Sequence, residues 1–150
     1  MPGFEVARVM TSEQLRAALV IRTRVFVEEQ HVPADEEIDA YDADPLGVAV
    51  HLLGSLDGVP VGTARLLLDP RPGELPHIGC VAVLAEHRRQ GYGAALMHAL
   101  HAEARACGFA GVTLAAQLHA LAFYEPLGYF AHGPVFLDAG IEHRQMDLLL

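Results

Sequence analysis

The chain has 150 residues, 52% of them apolar, and a formal net charge of −9. This length and apolar fraction suit one domain over residues 1–150 with a sizeable core, and they exclude a disordered chain. The negative charge argues against a general nucleic-acid binder, and no apolar run approaches the ~20 residues of a membrane span.

Met1-Pro2-Gly3-Phe4-Glu5 has neither the basic start nor the apolar core of a secretory signal, so a cytoplasmic location is expected. Two cysteines, Cys80 and Cys107, make no disulfide framework. Residues 5–10 alternate weakly and read as a first strand. Thr11 and Gln14 have the spacing of a capping box, and Leu15, Leu19, Arg22 and Phe26 recur at helical spacing, so a helix is predicted to about Gln30. Glu28 to Asp44 carries eight acids and no Lys or Arg. That run reads either as a solvated loop with one short helical turn or as an electrostatic lure for a cationic amine. Residues 48–56 and 61–68 are β-type runs around Asp57-Gly58, a strong hairpin signal. Residues 77–83 form another strand. A helix from Ala94 carries Met97, Leu100, Ala104 and Cys107 on one face and stops at Gly108. Residues 111–116 form a buried strand, and 119–127 a short helix limited by Pro126 and ended by Gly128. Residues 129–137 and 144–150 close the chain as strands. The order is β-α-β-β-β-α-β-α-β-β.

Between the strand at 77–83 and the next helix lies Arg88-Arg89-Gln90-Gly91-Tyr92-Gly93-Ala94. A basic, glycine-containing turn that opens a helix suits a phosphate. The first N–H groups of a helix have no internal partner, the helix dipole is positive there, and glycine permits close approach. The chain contains no lysine, which excludes a P-loop, and Leu96 stands where a dinucleotide fingerprint needs its third glycine.

The remaining pattern, Arg-x-x-Gly-x-Gly-Ala, resembles the pyrophosphate loop of the GNAT superfamily of N-acetyltransferases. Ala122-Phe123-Tyr124-Glu125-Pro126-Leu127-Gly128-Tyr129 is similar to the family's segment after the fifth strand. Arg24 to Gln30, Glu37-x-Asp39-x-x-Asp42, Gly62 to Leu66 and Gly140-Ile141-Glu142-His143 resemble the ElaA-like subgroup. The resemblance implies a single-domain α/β (α+β) GNAT fold, a mixed, twisted sheet of about seven strands. It implies acetyl-CoA as cosubstrate, a small amine as acceptor, and direct transfer between them. Pantetheine would lie along Val81, Ala82 and Val83, and the main chain of Arg89, Gln90, Gly91, Tyr92, Gly93 and Ala94 would hold the pyrophosphate. Arg88 or Arg89 would reach a phosphate, Phe123 would flank the thioester, and Tyr124 would be the general acid. Gln117 stands where many family members have an Asn that touches the cofactor. The C-terminal strands would offer dimer contacts, so a homodimer is expected by analogy.

Other points stay open in the sequence. His77, Cys80, His51, Glu28 and His119 are all candidates for the general base. Cys80 stands where ElaA-like sequences are expected to carry Arg. Nine histidines show no zinc spacing, so no metal is expected. Two further functions compete: a non-catalytic acyl-CoA sensor, and an acyl-homoserine-lactone synthase, which would share a pattern like Arg22, Phe26, Asp39, Asp42 and Arg65.

Overall fold

The chain from residue 3 to residue 150 is described by a computed structural model. Seven strands and the helices between them follow the order that the patterning predicts. β1 (Phe4–Arg8), β2 (Ala49–Leu56), β3 (Val59–Leu67) and β4 (Ile78–Val83) form one antiparallel sheet in that spatial order. β5 (Gly111–Gln117), β6 (Phe130–Asp138) and β7 (Ile141–Leu149) form a second, ordered β5-β7-β6. One parallel bridge, His77 to Thr113, joins the two. The mixed sheet is therefore two antiparallel halves that meet at a single seam. The predicted hairpin turn at Asp57-Gly58 is confirmed, with φ of 50° and 82° at its two residues, as a tight two-residue turn requires.

Helix α1 (Ser12–Arg22) starts at the predicted capping box: Gln14 N donates to Thr11 Oγ1 at 3.1 Å, and Thr11 N donates to Gln14 Oε1 at 3.2 Å. The helix continues to Glu29, as expected in length, but its last seven residues, Thr23–Glu29, take the wider π geometry. The buried face is Leu15, Ala18, Ile21, Arg22 and Val25, with Leu19 and Phe26 only partly covered. These side chains pack on Val9, Leu53, Ala82 and Leu84. Helix α3 (Tyr92–Ala106) buries Leu96, Met97, Leu100 and Ala104 against Leu52, Leu66, Val112 and Met146. Adjacent Leu52 and Leu53 thus serve different clusters, so α1 and α3 lie on opposite faces of the first sheet. Each buried Leu or Met contributes roughly 1.5–3 kcal/mol. Cys107, expected on the buried face, is exposed because the helix has already ended and Gly108 turns left-handed at φ 81°. Pro126 divides the predicted helix at 119–127. Only α4 (Leu121–Tyr124) is α-helical, with 3₁₀ turns on either side.

The acidic stretch is divided: part of it is solvated as expected, and part folds into an ion cluster that the spacing did not predict. Asp35, Glu36 and Asp44 are exposed, whereas Glu37, Asp39 and Asp42 are matched by arginines. A short helix, α2 (Ala34–Glu37), and the 3₁₀ turn Ala40–Asp42 fold over two arginines. Arg22, 1% exposed, donates to both Asp42 oxygens at 2.6 and 3.0 Å, and to Glu37 Oε1 at 2.9 Å. Arg65 donates to Asp39 at 2.8 and 3.0 Å and to Asp42 at 3.2 Å. Burial alone would raise the Asp42 carboxyl, but the Arg22 bonds and the Asp39 backbone N–H outweigh it and hold it below its usual range. For Glu37, with only one such bond to Arg22 from its side chain, burial prevails and the carboxyl lies above its usual range. Removing one member of such a buried set leaves an uncompensated charge, at a cost of about 3–5 kcal/mol.

Buried His101 on α3 shares a 2.7 Å hydrogen bond with the Tyr129 hydroxyl. Burial, with His98 and Arg105 nearby, lowers its pKa to about 4. The folded state therefore keeps this ring neutral where the unfolded chain takes up a proton. Its contribution is fully present above the ordinary imidazole pKa and is lost as pH falls toward 4. Lowering the pH from 7 to 5 should cost about 2 kcal/mol through this group. In urea unfolding at both pH values, His101→Gln should show a pH difference smaller than wild type by that amount.

Candidate active site

The site begins with a register fault. β3 and β4 pair as Leu66 with Ile78 and Arg65 with Gly79, then as Thr63 with Ala82 and Gly62 with Val83. One extra residue on β4 is absorbed at Cys80-Val81, and Cys80 takes φ 53°, in the left-handed region. Such a bulge bends its strand. β4 consequently leaves β5 beyond the His77–Thr113 bridge, and β4 and β5 are facing sheet edges with no strand pairing across them. Peptide groups along such edges can pair with an extended ligand. The opening is a cleft of about 620 Å³. Cys80, Val81, Ala82 and Val83 line one wall, Leu114, Ala115 and Gln117 the other, and Phe26 of the π segment and Gln30, which caps it, also face it.

At one end lies the glycine-containing loop. Arg89 (φ 64°) and Gly91 (φ 83°) are both left-handed, and Gly91 is the N-cap of α3 with no side-chain cap. The first helical bond is Ala95 N to Gly91 O at 3.1 Å. Among the described residues, no acceptor takes the backbone N–H groups of Arg89, Gln90, Gly91, Tyr92, Gly93 or Ala94. These donors, at the positive end of a helix dipole, form an anion-binding concavity. A Cβ at Gly93 would lie 3.1 Å from the Phe123 ring, so Phe123 rests on this loop. The Tyr92 ring stacks on Phe4 at 4.1 Å, a packing contact.

The two arginines of the loop differ. Arg88 donates through Nε to Val83 O at 2.9 Å, and its two other nitrogens meet Glu29 at 2.8 and 2.7 Å. The Arg88 bonds hold the Glu29 carboxyl below its usual range. Arg88 thus ties the loop to the end of the π segment. Arg89 is exposed and has no carboxylate within ion-pair distance among the described residues. Gln117 donates to Gln30 at 2.7 Å. Consecutive residues Glu29 and Gln30 therefore reach both walls of the cleft.

Tyr124, whose ring packs on that of Phe123 at 4.9 Å, is 9% exposed and lines the cleft; burial raises its phenol to about 12, so it remains protonated at neutral pH. Among the described residues nothing hydrogen-bonds its hydroxyl. The candidate bases are scattered. His77, Cys80 and His119 line the cleft. His51 is buried with Nε2 3.0 Å from Tyr41 O, and Glu28 faces a separate shallow groove beside Arg16 and Val20. Arg22, Asp42 and Arg65 form a buried ion cluster, and exposed Asp39 pairs with it through Arg65. His143, not chosen from the sequence as a site residue, also lines the cleft at 8% exposure. The Gly140-Ile141-Glu142-His143 segment was its only signal. Among the described residues, no group of three or more His, Cys, Asp or Glu is arranged to hold a metal, and no helix is long and apolar enough to cross a membrane.

A splayed strand pair with an anion-binding loop at its end is also the signature of a known family. A sequence profile of the Acetyltransferase (GNAT) family matches residues 14–129. The chain belongs to that family. It is 41% identical over 136 residues to the uncharacterized N-acetyltransferase YjcF of Bacillus subtilis, covering 89% of this chain and 91% of that protein. An acyl-CoA N-acyltransferase from Pseudomonas aeruginosa superposes with a TM-score of 0.79 at 35% identity, over 97% of each chain. Escherichia coli ElaA superposes with a TM-score of 0.83 at 30% identity, over 97% of this chain and 99% of ElaA. The protein is an acyltransferase of the GNAT fold, and acyl-CoA is the donor class of such enzymes.

Cys80 is half-buried, and burial pushes its thiol up to about 11, although Arg22 and Arg65 pull the other way. At pH 8 about one such thiol in a thousand is ionised. Iodoacetamide at pH 8 should therefore label exposed Cys107 first and leave Cys80 largely unmodified in the native protein, as read by peptide mass spectrometry.

Proposed function

We propose that this acyltransferase moves the acetyl group of acetyl-CoA directly to the primary amine of a small, cationic acceptor. The observation that carries the reading is continuity. The unpartnered N–H groups from Arg89 to Ala94 adjoin the open edge of β4, so a pyrophosphate and the extended arm attached to it fit one uninterrupted surface. The name of the Pseudomonas relative, an acyl-CoA N-acyltransferase, supports the donor class. In this reading the loop N–H groups and Arg89 hold the phosphates. Val81, Ala82 and Val83 offer main chain to the pantetheine amides, with Gln117 on the facing wall. Arg88 keeps the loop in place through Glu29 and Val83 O. A main-chain N–H of β4 polarises the thioester carbonyl, and Tyr124 gives its proton to the departing sulfur.

The cationic character of the acceptor rests on Glu36 and Asp138. Both are exposed, line the cleft and have no ion-pair partner among the described residues. Glu37, Asp39 and Asp42 are already matched by Arg22 and Arg65.

Acetyl-CoA at about 100 times its dissociation constant should stabilise the wild type by ~2.7 kcal/mol, several degrees in a thermal melt. Gly91→Glu, which puts a carboxylate and a side chain at a left-handed position of the loop, should lose that shift. Absence of any shift in wild type would sink the donor assignment. Tyr124→Phe should retain the acetyl-CoA shift but lose about 10²-fold in kcat on the fastest amine of a panel containing spermidine, an aminosugar and neutral benzylamine. A non-catalytic acyl-CoA sensor would have no rate to lose, and equal turnover of benzylamine and spermidine would count against a cationic acceptor.

A further inference from the structure

We infer that His143 is the catalytic base of the acetyl transfer, an assignment that rests on the reaction proposed above. β7 places His143 directly opposite Gln117 of β5, at the end of the ladder where the cleft opens. Its Nδ1 lies 2.7 Å from Ile141 O. A carbonyl oxygen can only accept, so Nδ1 carries the hydrogen and the neutral ring keeps its lone pair on Nε2. The Phe136 ring stacks on the imidazole at 5.8 Å and 24° and fixes its plane. More than nine-tenths of the residue is buried, yet Nε2 has no protein partner among the described residues. Nor is it sealed off: the one side-chain nitrogen or oxygen there that is both occluded and unpartnered is Arg65 Nε. Nε2 therefore keeps access, on a residue that lines the same cleft as Tyr124.

This is the arrangement a general base requires, with one ring nitrogen oriented by a fixed acceptor and the other presented to the substrate. The other groups lack it. His51 spends Nε2 on Tyr41 O. Glu37 and Asp39 are held by arginines. His77 and His119 are exposed, with no hydrogen bond among the described residues to orient either ring.

In the step itself, the acceptor nitrogen bonds to the acetyl carbonyl carbon and its proton passes to His143 Nε2. The carbon–sulfur bond breaks with its electron pair on sulfur, and sulfur takes the Tyr124 proton. The imidazolium then returns a proton to the phenolate through solvent, so one amine and one thioester give one amide and one thiol.

His143→Asn keeps an amide N–H near Nδ1 to serve Ile141 O while deleting Nε2. It should retain the acetyl-CoA thermal shift and lose between about 10² and 10⁴ in kcat on the fastest amine of the panel, with little change in KM for acetyl-CoA. Added imidazole should restore part of the rate to His143→Ala and none to Tyr124→Phe. Long-range ¹H–¹⁵N spectra of the wild type should show His143 with its hydrogen on Nδ1, a readout that needs neither turnover nor a folded variant. Wild-type kcat in His143→Asn with the acetyl-CoA shift intact would overturn the base alone, and so would a hydrogen on Nε2. A wild type that acetyl-CoA does not stabilise would instead overturn the donor reading.

Discussion

One extra residue in β4 shapes this protein. The bulge at Cys80-Val81 changes the pairing with β3, bends the strand away from β5 and leaves two sheet edges facing one another without a ladder. An unsatisfied edge is ordinarily a liability, because its peptide groups seek partners. Here the edges lie inside a cleft and end at a loop whose N–H groups also lack acceptors. The fold thus leaves hydrogen-bonding capacity in one continuous strip while α1 and α3 fill the two faces of the first sheet. The cleft exists because the sheet is incomplete, and the helices keep the incomplete sheet from collapsing.

The second organising element is the charge cluster beside the cleft. Arg22 and Arg65 draw in Glu37, Asp39 and Asp42, and so pull a segment with little apolar content onto the body of the protein. Two-point contacts from guanidinium to carboxylate suit this role better than lysine would, and the chain contains no lysine. The same cluster faces Cys80 through the positive charge of both arginines. A cysteine occupies the position where an arginine is expected in ElaA-like sequences, and burial keeps it a neutral thiol rather than a nucleophile. Binding and chemistry come from different elements around the cleft. Fixed backbone donors and Arg89 sit at the loop end, whereas Tyr124 and His143 sit on elements that follow β5.

The sequence conveyed what depends on local pattern. The capping box of α1, the Asp57-Gly58 hairpin, the stop at Gly108, the break at Pro126 and the strand order all follow from residues within a few positions of one another, where backbone sterics and periodicity act directly. So did the loop at Arg88–Ala94, because a helix N-terminus preceded by glycine and arginine has the same electrostatics in any fold. The π turns from Thr23 to Glu29 were not legible, since a widened turn inside a helix carries no residue signature of its own. The fate of Arg88 was not legible either: its partner Glu29 is 59 positions away, and only the packed fold brings the two together.

His143 shows the division most clearly. The sequence determined that a histidine follows Gly-Ile-Glu just before a β-type run, and by resemblance it determined the family and the class of donor. Whether that ring is a surface side chain, a core residue or a base depends on which nitrogen is tied and which is free. That was decided by the hairpin that sets Ile141 O beside Nδ1, by the β5–β7 register that places the ring across from Gln117, and by the bulge that opens the space in front of it. Local sequence fixes elements through short-range sterics and periodicity. The protonation geometry of a buried ring is a sum over neighbours distant in sequence, and only the tertiary structure assembles them.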